Sequence, residues 1–260
     1  MKPIRIFTVL LGFFCVPLVA QTPLRVAAAA DLQPVLPQIL AQFERVTGLH
    51  AEATYQASAA LTTQIQNGAP FDLFLSADMS YPKRLIDAGL ADAAGSSDST
   101  APIIYAKGTL VLWSRKDSTL PPPSVDLLRY PGLRRLAIAN PDRAPYGRAA
   151  VAAITSLKLY DSLKAHLVTA EDIAQAAQFV ESGNADAGLI SMTSALTPRL
   201  SASGRYFVIP RDLYPPIEQG AVIIRRTTQR AEAHKFLDYL QSPTVQAQLA
   251  RSGLTPVRAK

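Results

Sequence analysis

The stretch V-A-A-A-A-D-L, residues 26–32, decides the fold, because it is an apolar run that stops at one aspartate. Four consecutive alanines favour a helix on their own. However, Val26 precedes them, and an apolar pattern of a different period begins at Val35. We therefore interpret the run as a buried strand that ends in a turn into a helix. Ligands of α/β proteins bind at turns of this kind, so Asp31 is a candidate site residue.

Strand and helix patterns alternate after this run. From Val35 the apolar residues have helical spacing, and Gly48 ends the pattern. Further strands are predicted at 49–55, 71–75, 109–114, 136–139, 187–190 and 221–224, and further helices at 58–67, 81–88, 146–157, 171–181, 231–240 and 243–251. This alternation predicts an α/β fold with a parallel sheet.

The first twenty residues differ from the rest of the chain. Lys2 and Arg5 precede an apolar segment at residues 6–20, which is typical of a secretory signal removed near Ala20. The apolar core has roughly 15 residues, fewer than the ~20 that a membrane helix needs. We predict an exported protein. Its single cysteine, Cys15, lies inside the signal, so the mature chain would form no disulfide.

Composition narrows the class of protein. With 260 residues, of which 48% are apolar, the chain can form one large domain or two lobes. The formal net charge of +6 is spread along the chain without a run of Lys or Arg, which argues against nucleic-acid binding. The three histidines are scattered, and no Gly-x-Ser-x-Gly motif is present. A pair of acids such as Asp72 and Asp78 could still catalyse a reaction, but turn and cap roles explain both equally well. Catalysis is therefore the less favoured hypothesis.

Four predicted turns are candidates for binding an anion. Asp31 and Ser58 each follow a strand and open a helix, and residues 140–147 and 170–173 also lead into helices. Backbone N–H groups at helix starts are unpaired and carry partial positive charge, so several that converge can hold an anion without a lysine. Any one of these residues alone is better explained as a helix N-cap, and only their joint occurrence in an α/β pattern favours a ligand site.

These segments carry a resemblance. V-A-A-A-A-D-L, Q-A-S-A-A-L-T-T-Q-I-Q-N-G-A-P-F-D-L-F-L-S-A-D, N-P-D-R-A-P-Y-G, E-S-G-N-A-D-A-G-L-I-S, Y-P-P-I-E-Q and L-Q-S-P-T-V-Q-A-Q-L together resemble the periplasmic molybdate-binding proteins of bacterial ABC importers. The resemblance implies a type II periplasmic-binding-protein fold, with two lobes that are each a mainly parallel sheet flanked by helices. It also implies a protein without a cofactor or enzymatic activity, which delivers its ligand to a membrane permease. Because no second long apolar run follows the signal segment, we predict that the mature protein is a soluble monomer.

The resemblance also implies the site residues. The family has Ser or Asn where this chain has Asp31, and a serine where it has Ser58. Its third contact falls on Tyr146 and its fourth on the backbone N–H of Ile173. Ser191 stands where the family often has a tyrosine. The implied ligand is molybdate or tungstate, held as the oxyanion; the alternatives are another oxyanion such as sulfate, or a small-molecule enzyme on the same fold.

An ionised Asp31 would repel such a ligand. Two unit charges ~4 Å apart interact by roughly 4 kcal/mol at an effective dielectric constant of 20, and a dianion doubles this energy. We therefore expect the carboxylate to turn away and cap the helix, leaving its backbone N–H for the ligand. Two alternatives stay open, which are a protonated carboxyl that donates a hydrogen bond and a carboxylate that ligates the metal directly.

The lobes are predicted from the two crossings that the resemblance implies. The first lobe would comprise residues 22–113 and 211–260, and the second residues 114–210. Because the chain leaves the first lobe and returns to it, the two lobes should close on the ligand as a hinge.

Overall fold

Two β-sheets with helices packed on them make up the computed structural model, which describes residues 22–93 and 101–257. The predicted signal at residues 1–20, with Cys15, lies outside the described residues. In the described part of the chain the strands are β1 (Leu24–Ala29), β2 (Ala51–Gln56), β3 (Leu73–Ser76), β4 (Ala91–Ala93), β5 (Ile103–Gly108), β6 (Leu110–Arg115), β7 (Leu136–Ala139), β8 (Leu167–Ala170), β9 (Ala187–Ser191), β10 (Gly204–Val208), β11 (Ile217–Ile224) and β12 (Thr255–Pro256).

The helices lie between these strands. They are α1 (Leu36–Thr47), α2 (Ser58–Gln66), α3 (Ser80–Asp87), α4 (Pro145–Ser156), α5 (Tyr160–Leu163), α6 (Ile173–Ser182), α7 (Met192–Ala195), α8 (Pro198–Ser203), α9 (Arg230–Gln241) and α10 (Pro243–Arg251). Gly48 ends α1 in a left-handed conformation, as its place in the sequence predicts. Across residues 22–93 and 101–257, no helix is both long enough and apolar enough to span a membrane.

Both sheets are mixed. The first has the order β12-β5-β11-β3-β1-β2, with β4 also paired to β11, and the second has the order β10-β6-β9-β7-β8. Among the strands of the described residues, only β1 with β2 and β3, and β7 with β8 and β9, pair in parallel. The α/β class is confirmed, but the sheets are not mainly parallel. The hydrophobic pattern shows that a strand is buried without showing its direction, and β6 and β11 enter their sheets antiparallel to the neighbouring strands.

The alanines of β1 let three groups of residues pack around one strand. Val26 and Ala28 belong to the core cluster under α1, whereas Ala27 belongs to the cluster under α2 and α3. Ala29 and Ala30 belong to a third cluster, which consists mainly of residues from the second sheet and its helices. Successive side chains of a strand point to opposite faces, so small residues allow close approach on both. The end of β1 therefore lies against the second half of the molecule.

The chain passes between the sheets twice. It leaves the first sheet at Gly108 and enters the second at Leu110, and it returns between Val208 and Ile217. Because β6 pairs with β9 and β10, residues 110–113, which the sequence division assigned to the first lobe, pair within the second sheet.

Several contacts join the half of the molecule built on the first sheet to the half built on the second. Arg148 on α4 forms an ion pair with Asp78, which lies just before α3. The Tyr81 hydroxyl donates to the backbone oxygen of Asp142, 3.3 Å away, and the Ala59 N–H donates to the backbone oxygen of Arg143. The cleft between the sheets is therefore closed in this structure.

Candidate functional site

A small cavity, with a volume of about 10 Å³, lies where the two sheets face each other. On the side of the first sheet it is lined by residues 29–31, 57, 58 and 77, and on the side of the second by residues 144–146, 172 and 173. Three helices, α2, α4 and α6, begin at this wall. The first N–H groups of a helix have no partner inside it and carry partial positive charge. The wall of the cavity therefore favours a negatively charged ligand.

The predicted site residues are not all brought together. Asp31, Ser58, Tyr146 and Ile173 line this cavity, although they lie as far apart as 142 positions in the sequence, from 31 to 173. Ser191 does not line it. Neither Lys, Arg nor His is among the lining residues, so any anion held here is held by neutral donors and by the helix starts.

Ser58 is the first residue of α2 and is 1% exposed. The N-cap of that helix is Ala57, so the N-cap role considered for Ser58 is wrong. Its Oγ instead accepts a hydrogen bond from the backbone N–H of Ala77, 3.1 Å away. A hydroxyl group has one proton and two lone pairs. Because the N–H of Ala77 occupies a lone pair, the Ser58 proton can be donated to a ligand.

Asp31 lies in a single 3₁₀ turn (Ala30–Leu32) after β1, and its side chain is 0% exposed. It caps neither this turn nor α1, so the expectation of a helix cap is wrong. The carboxylate Oδ2 accepts from the hydroxyl of Tyr146, 3.1 Å away, and from the amide of Gln219. The other oxygen, Oδ1, is buried and has no hydrogen-bond partner among the described residues. Burial raises the pKa of Asp31 from 3.8 to about 7, although hydrogen bonds with Gln219, with Tyr146 and with its own backbone oppose the shift.

Tyr146 reaches Asp31 because the backbone leaves room for its ring. It is the second residue of α4, after Pro145, and it is fully buried. A Cβ atom on Gly108 would overlap its hydroxyl group, so a glycine at the first crossing admits the tyrosine. Burial, followed by the charge of Asp31, holds the pKa of Tyr146 well above its usual range. The hydroxyl therefore stays protonated and acts as a donor.

Ile173 presents the start of α6 to the cavity. It is the first residue of that helix, and the preceding Asp172 is a true N-cap, since its Oδ1 accepts from the N–H of Gln175, 2.9 Å away. This cap occupies the N–H at the third helical position and leaves the N–H of Ile173 without a partner inside the helix.

Ser191 has a structural role at the end of β9. It is the N-cap of α7, and its Oγ accepts from the N–H of Ser194, 3.2 Å away. The neighbouring Thr193 hydroxyl lies 2.7 Å from the backbone oxygen of Asp31 and 2.9 Å from Ser191 Oγ. Ser191 thus supports the segment that contacts Asp31 and does not itself reach the cavity.

Sequence reasoning missed Gln219 and Ala77. Gln219 is fully buried on β11, and its amide binds the Asp31 carboxylate across 188 positions of sequence. It lies in the quoted motif Y-P-P-I-E-Q, but no local pattern connects that motif to Asp31. Ala77 acts through its backbone N–H, and the identity of its side chain does not indicate this role in the sequence. The part of the chain that the structure describes contains no group of three or more His, Cys, Asp or Glu side chains able to hold a bare metal ion.

Known proteins resemble this chain in sequence and structure. The profile of the family described as bacterial extracellular solute-binding protein matches residues 24–255. The molybdate-binding protein ModA of Azotobacter vinelandii is 37% identical over 219 residues, which are 84% of each chain. ModA of Rhodobacter capsulatus is 36% identical over 217 residues, 84% of this chain and 82% of that protein.

The solved structure of the Azotobacter vinelandii periplasmic molybdate-binding protein superimposes with a TM-score of 0.83 at 33% identity. The match covers 90% of this chain and 100% of that one. The predicted type II periplasmic-binding-protein fold is therefore confirmed. With the family profile spanning nearly all of the described residues, this chain belongs to the bacterial extracellular solute-binding proteins.

Proposed function

We propose that this protein binds molybdate as the intact oxyanion and delivers it to the membrane permease of an ABC importer. The observation that carries the proposal is the cavity wall at which three helix starts and the Ser58 hydroxyl converge without a cationic side chain. Relatives at 37% and 36% identity are named molybdate-binding proteins. Tungstate has the same shape and charge, and we propose that it binds as well.

We assign the contacts to four residues. Ser58 donates its hydroxyl proton, and the backbone N–H groups of Tyr146 and Ile173 contribute the helix starts on the opposite wall. Asp31 contributes from the end of β1. The assignment leaves out Ser191, because its hydroxyl is used in capping α7.

Transport requires release as well as binding. We propose that residues 22–108 with 217–257 form one lobe and residues 110–208 the other, and that the two crossings act as the hinge. The mature protein is a periplasmic monomer that loses its signal near Ala20. It has no catalytic role, no resident cofactor and no nucleic-acid partner. The second candidate, a receptor for another oxyanion such as sulfate, would use the same cavity.

The first prediction tests ligand binding. Molybdate and tungstate should raise the free energy of unfolding by RT ln(1 + [L]/Kd), about 2.7 kcal/mol at a hundredfold excess over Kd. The measurement is the melting temperature in molybdate, tungstate, sulfate and chloride at equal ionic strength. A melting temperature that responds to sulfate alone would favour the second candidate. No response to any oxyanion at millimolar concentration would contradict the proposal.

The second prediction concerns Ser58→Ala. A hydrogen bond to a charged group contributes roughly 1.5 to 3 kcal/mol, so the Kd for molybdate should rise about tenfold to a hundredfold. The variant also leaves the buried N–H of Ala77 without its acceptor, which should cost about 1 to 3 kcal/mol of stability. Calorimetric titration gives the first quantity and urea unfolding the second.

Ser191→Ala is the matched control for Ser58→Ala. It removes a buried serine hydroxyl that also accepts a backbone N–H, but outside the cavity, and losing this cap should cost about 1 kcal/mol. Its Kd should stay close to that of the parent chain. If the two variants bind molybdate equally well, Ser58 is not a ligand.

A further inference from the structure

We infer that Asp31 carries the proton that lets this cavity hold a dianion, and that its protonated Oδ1 donates a hydrogen bond to the bound oxyanion. The inference rests on the proposed function and adds to it a stoichiometric proton, taken up with the ligand above neutral pH. In this inference Asp31 acts as a neutral hydrogen-bond donor and does not act as an ionised ligand.

The two oxygens of Asp31 are not equivalent. Oδ2 accepts from Tyr146 on α4 and from Gln219 on β11, so it has the surroundings of a carbonyl oxygen. Oδ1 is buried and has no partner among the described residues. When the group is protonated, the proton therefore belongs on Oδ1. Asp31 lines the cavity, so the occupant of the cavity is the available acceptor for that proton.

Within residues 22–93 and 101–257, the groups packed around Asp31 do not supply a positive charge. They are Tyr105 on β5, Tyr146 on α4, Thr193 on α7, Gln219 on β11 and, beyond Tyr146, Tyr214. Asp172 is the other carboxyl residue on the cavity wall, and its side chain is used in capping α6. Burial already raises the pKa of Asp31 to about 7 without a ligand. A dianion beside the carboxyl group raises this pKa further, because it repels the ionised form.

The coupling between proton uptake and oxyanion binding has a definite sign. Below about pH 7 Asp31 is already neutral in the free protein, so the Kd does not change with pH. Above that pH the free protein must take up one proton to bind, and the Kd rises by up to about tenfold for each pH unit. Asp31→Asn places a permanently neutral NH₂ donor at the position of Oδ1 and keeps an acceptor for Tyr146 and Gln219. This variant should bind with a Kd that is the same at pH 6 and pH 8.

The test is calorimetric titration with sodium molybdate at pH 6 and pH 8, each in two buffers of different ionisation enthalpy. The parent chain should take up close to one proton per molybdate at pH 8 and a much smaller fraction at pH 6. Asp31→Asn should take up none at either pH. Asp172→Asn, which replaces the other carboxyl group on the wall by a residue that caps equally well, should keep the uptake at pH 8.

Three results would overturn the inference. The first is molybdate binding by the parent chain at pH 8 without proton uptake. The second is loss of molybdate binding in an Asp31→Asn variant that melts cooperatively, which would mean that the ionised carboxylate is itself the ligand. The third is tight binding of hydrogen phosphate without proton uptake, since Asp31 would then accept a proton from the ligand. Failure of every chain to bind molybdate, tungstate or sulfate at either pH would instead contradict the proposed function, and the inference with it.

Discussion

The ligand-free protein is expected to lose roughly 4 kcal/mol of stability between pH 4 and pH 8 through Asp31 alone. The pKa of Asp31 is about 7 in the folded chain and 3.8 when the group is exposed. Between these values the folded chain keeps a proton that the unfolded chain releases, so the free energy of unfolding falls as the pH rises. The contribution is fully present below about pH 4 and is lost as the pH passes through about 7.

Asp31→Asn should remove this dependence. The measurement is urea unfolding of both chains without ligand at pH 4, 6 and 8. The difference between their free energies of unfolding should change with pH up to about pH 8 and stay constant above it. The slope is the quantity to compare, because burying the amide NH₂ has a cost of its own that does not depend on pH. Tyr146→Phe provides a second comparison. It removes a donor that lowers the pKa of Asp31, so the loss of stability should extend to higher pH. Parallel pH profiles for the parent chain and Asp31→Asn would show that the buried carboxyl group titrates normally.

Gly147→Ala is expected to destabilise the protein by roughly 3 kcal/mol or more, at the upper end of overpacking effects. A Cβ atom at this position would overlap the carbonyl oxygen of Ala139 and lie 2.8 Å from the carbonyl carbons of Ala139 and Asn140. These are backbone atoms at the end of β7, which cannot rotate away as a side chain would. The start of α4 must therefore move, and Tyr146 moves with it away from Asp31. We expect the loss of stability in urea unfolding to be accompanied by weaker molybdate binding.

Gly48→Ala is the control for this prediction. Gly48 has a φ of 72°, but a Cβ atom there would meet nothing within 4 Å. The expected cost is only that of a left-handed alanine, about 1 kcal/mol, without an effect on the Kd for molybdate. If Gly147→Ala is no less stable than Gly48→Ala, the contact between α4 and β7 is not tight.

Local sequence patterns predicted much of the fold. The apolar run before Asp31, the helical spacing after Val35 and the stop at Gly48 gave β1 and α1 within a few residues, and the two closing helices were found at nearly their observed bounds. These features depend on interactions within a few turns of chain, which composition and spacing record directly. The family resemblance named four residues that line one cavity, because its motifs lie at the ends of strands that must meet.

The role of Asp31 could not be predicted from its neighbours in sequence. Its partners are Tyr146 and Gln219, 115 and 188 positions away, and its burial comes from elements of both halves of the molecule. A helix cap is a local contact and was the natural expectation for an aspartate after a strand. Long-range burial instead makes the ionised form costly and raises the pKa of Asp31 to about 7.

The sequence of this protein thus contains enough local information to specify an α/β fold and the strand ends at which a ligand would lie, and its resemblance to a known family implied the solute-binding fold. Strand direction in the mixed sheets, the membership of β6, the capping role of Ser191 and the raised pKa of Asp31 depend on which distant segments meet. The charge state of a side chain depends on its exposure to solvent and on the hydrogen-bond donors around it. For Asp31 both are determined only when the two sheets pack together.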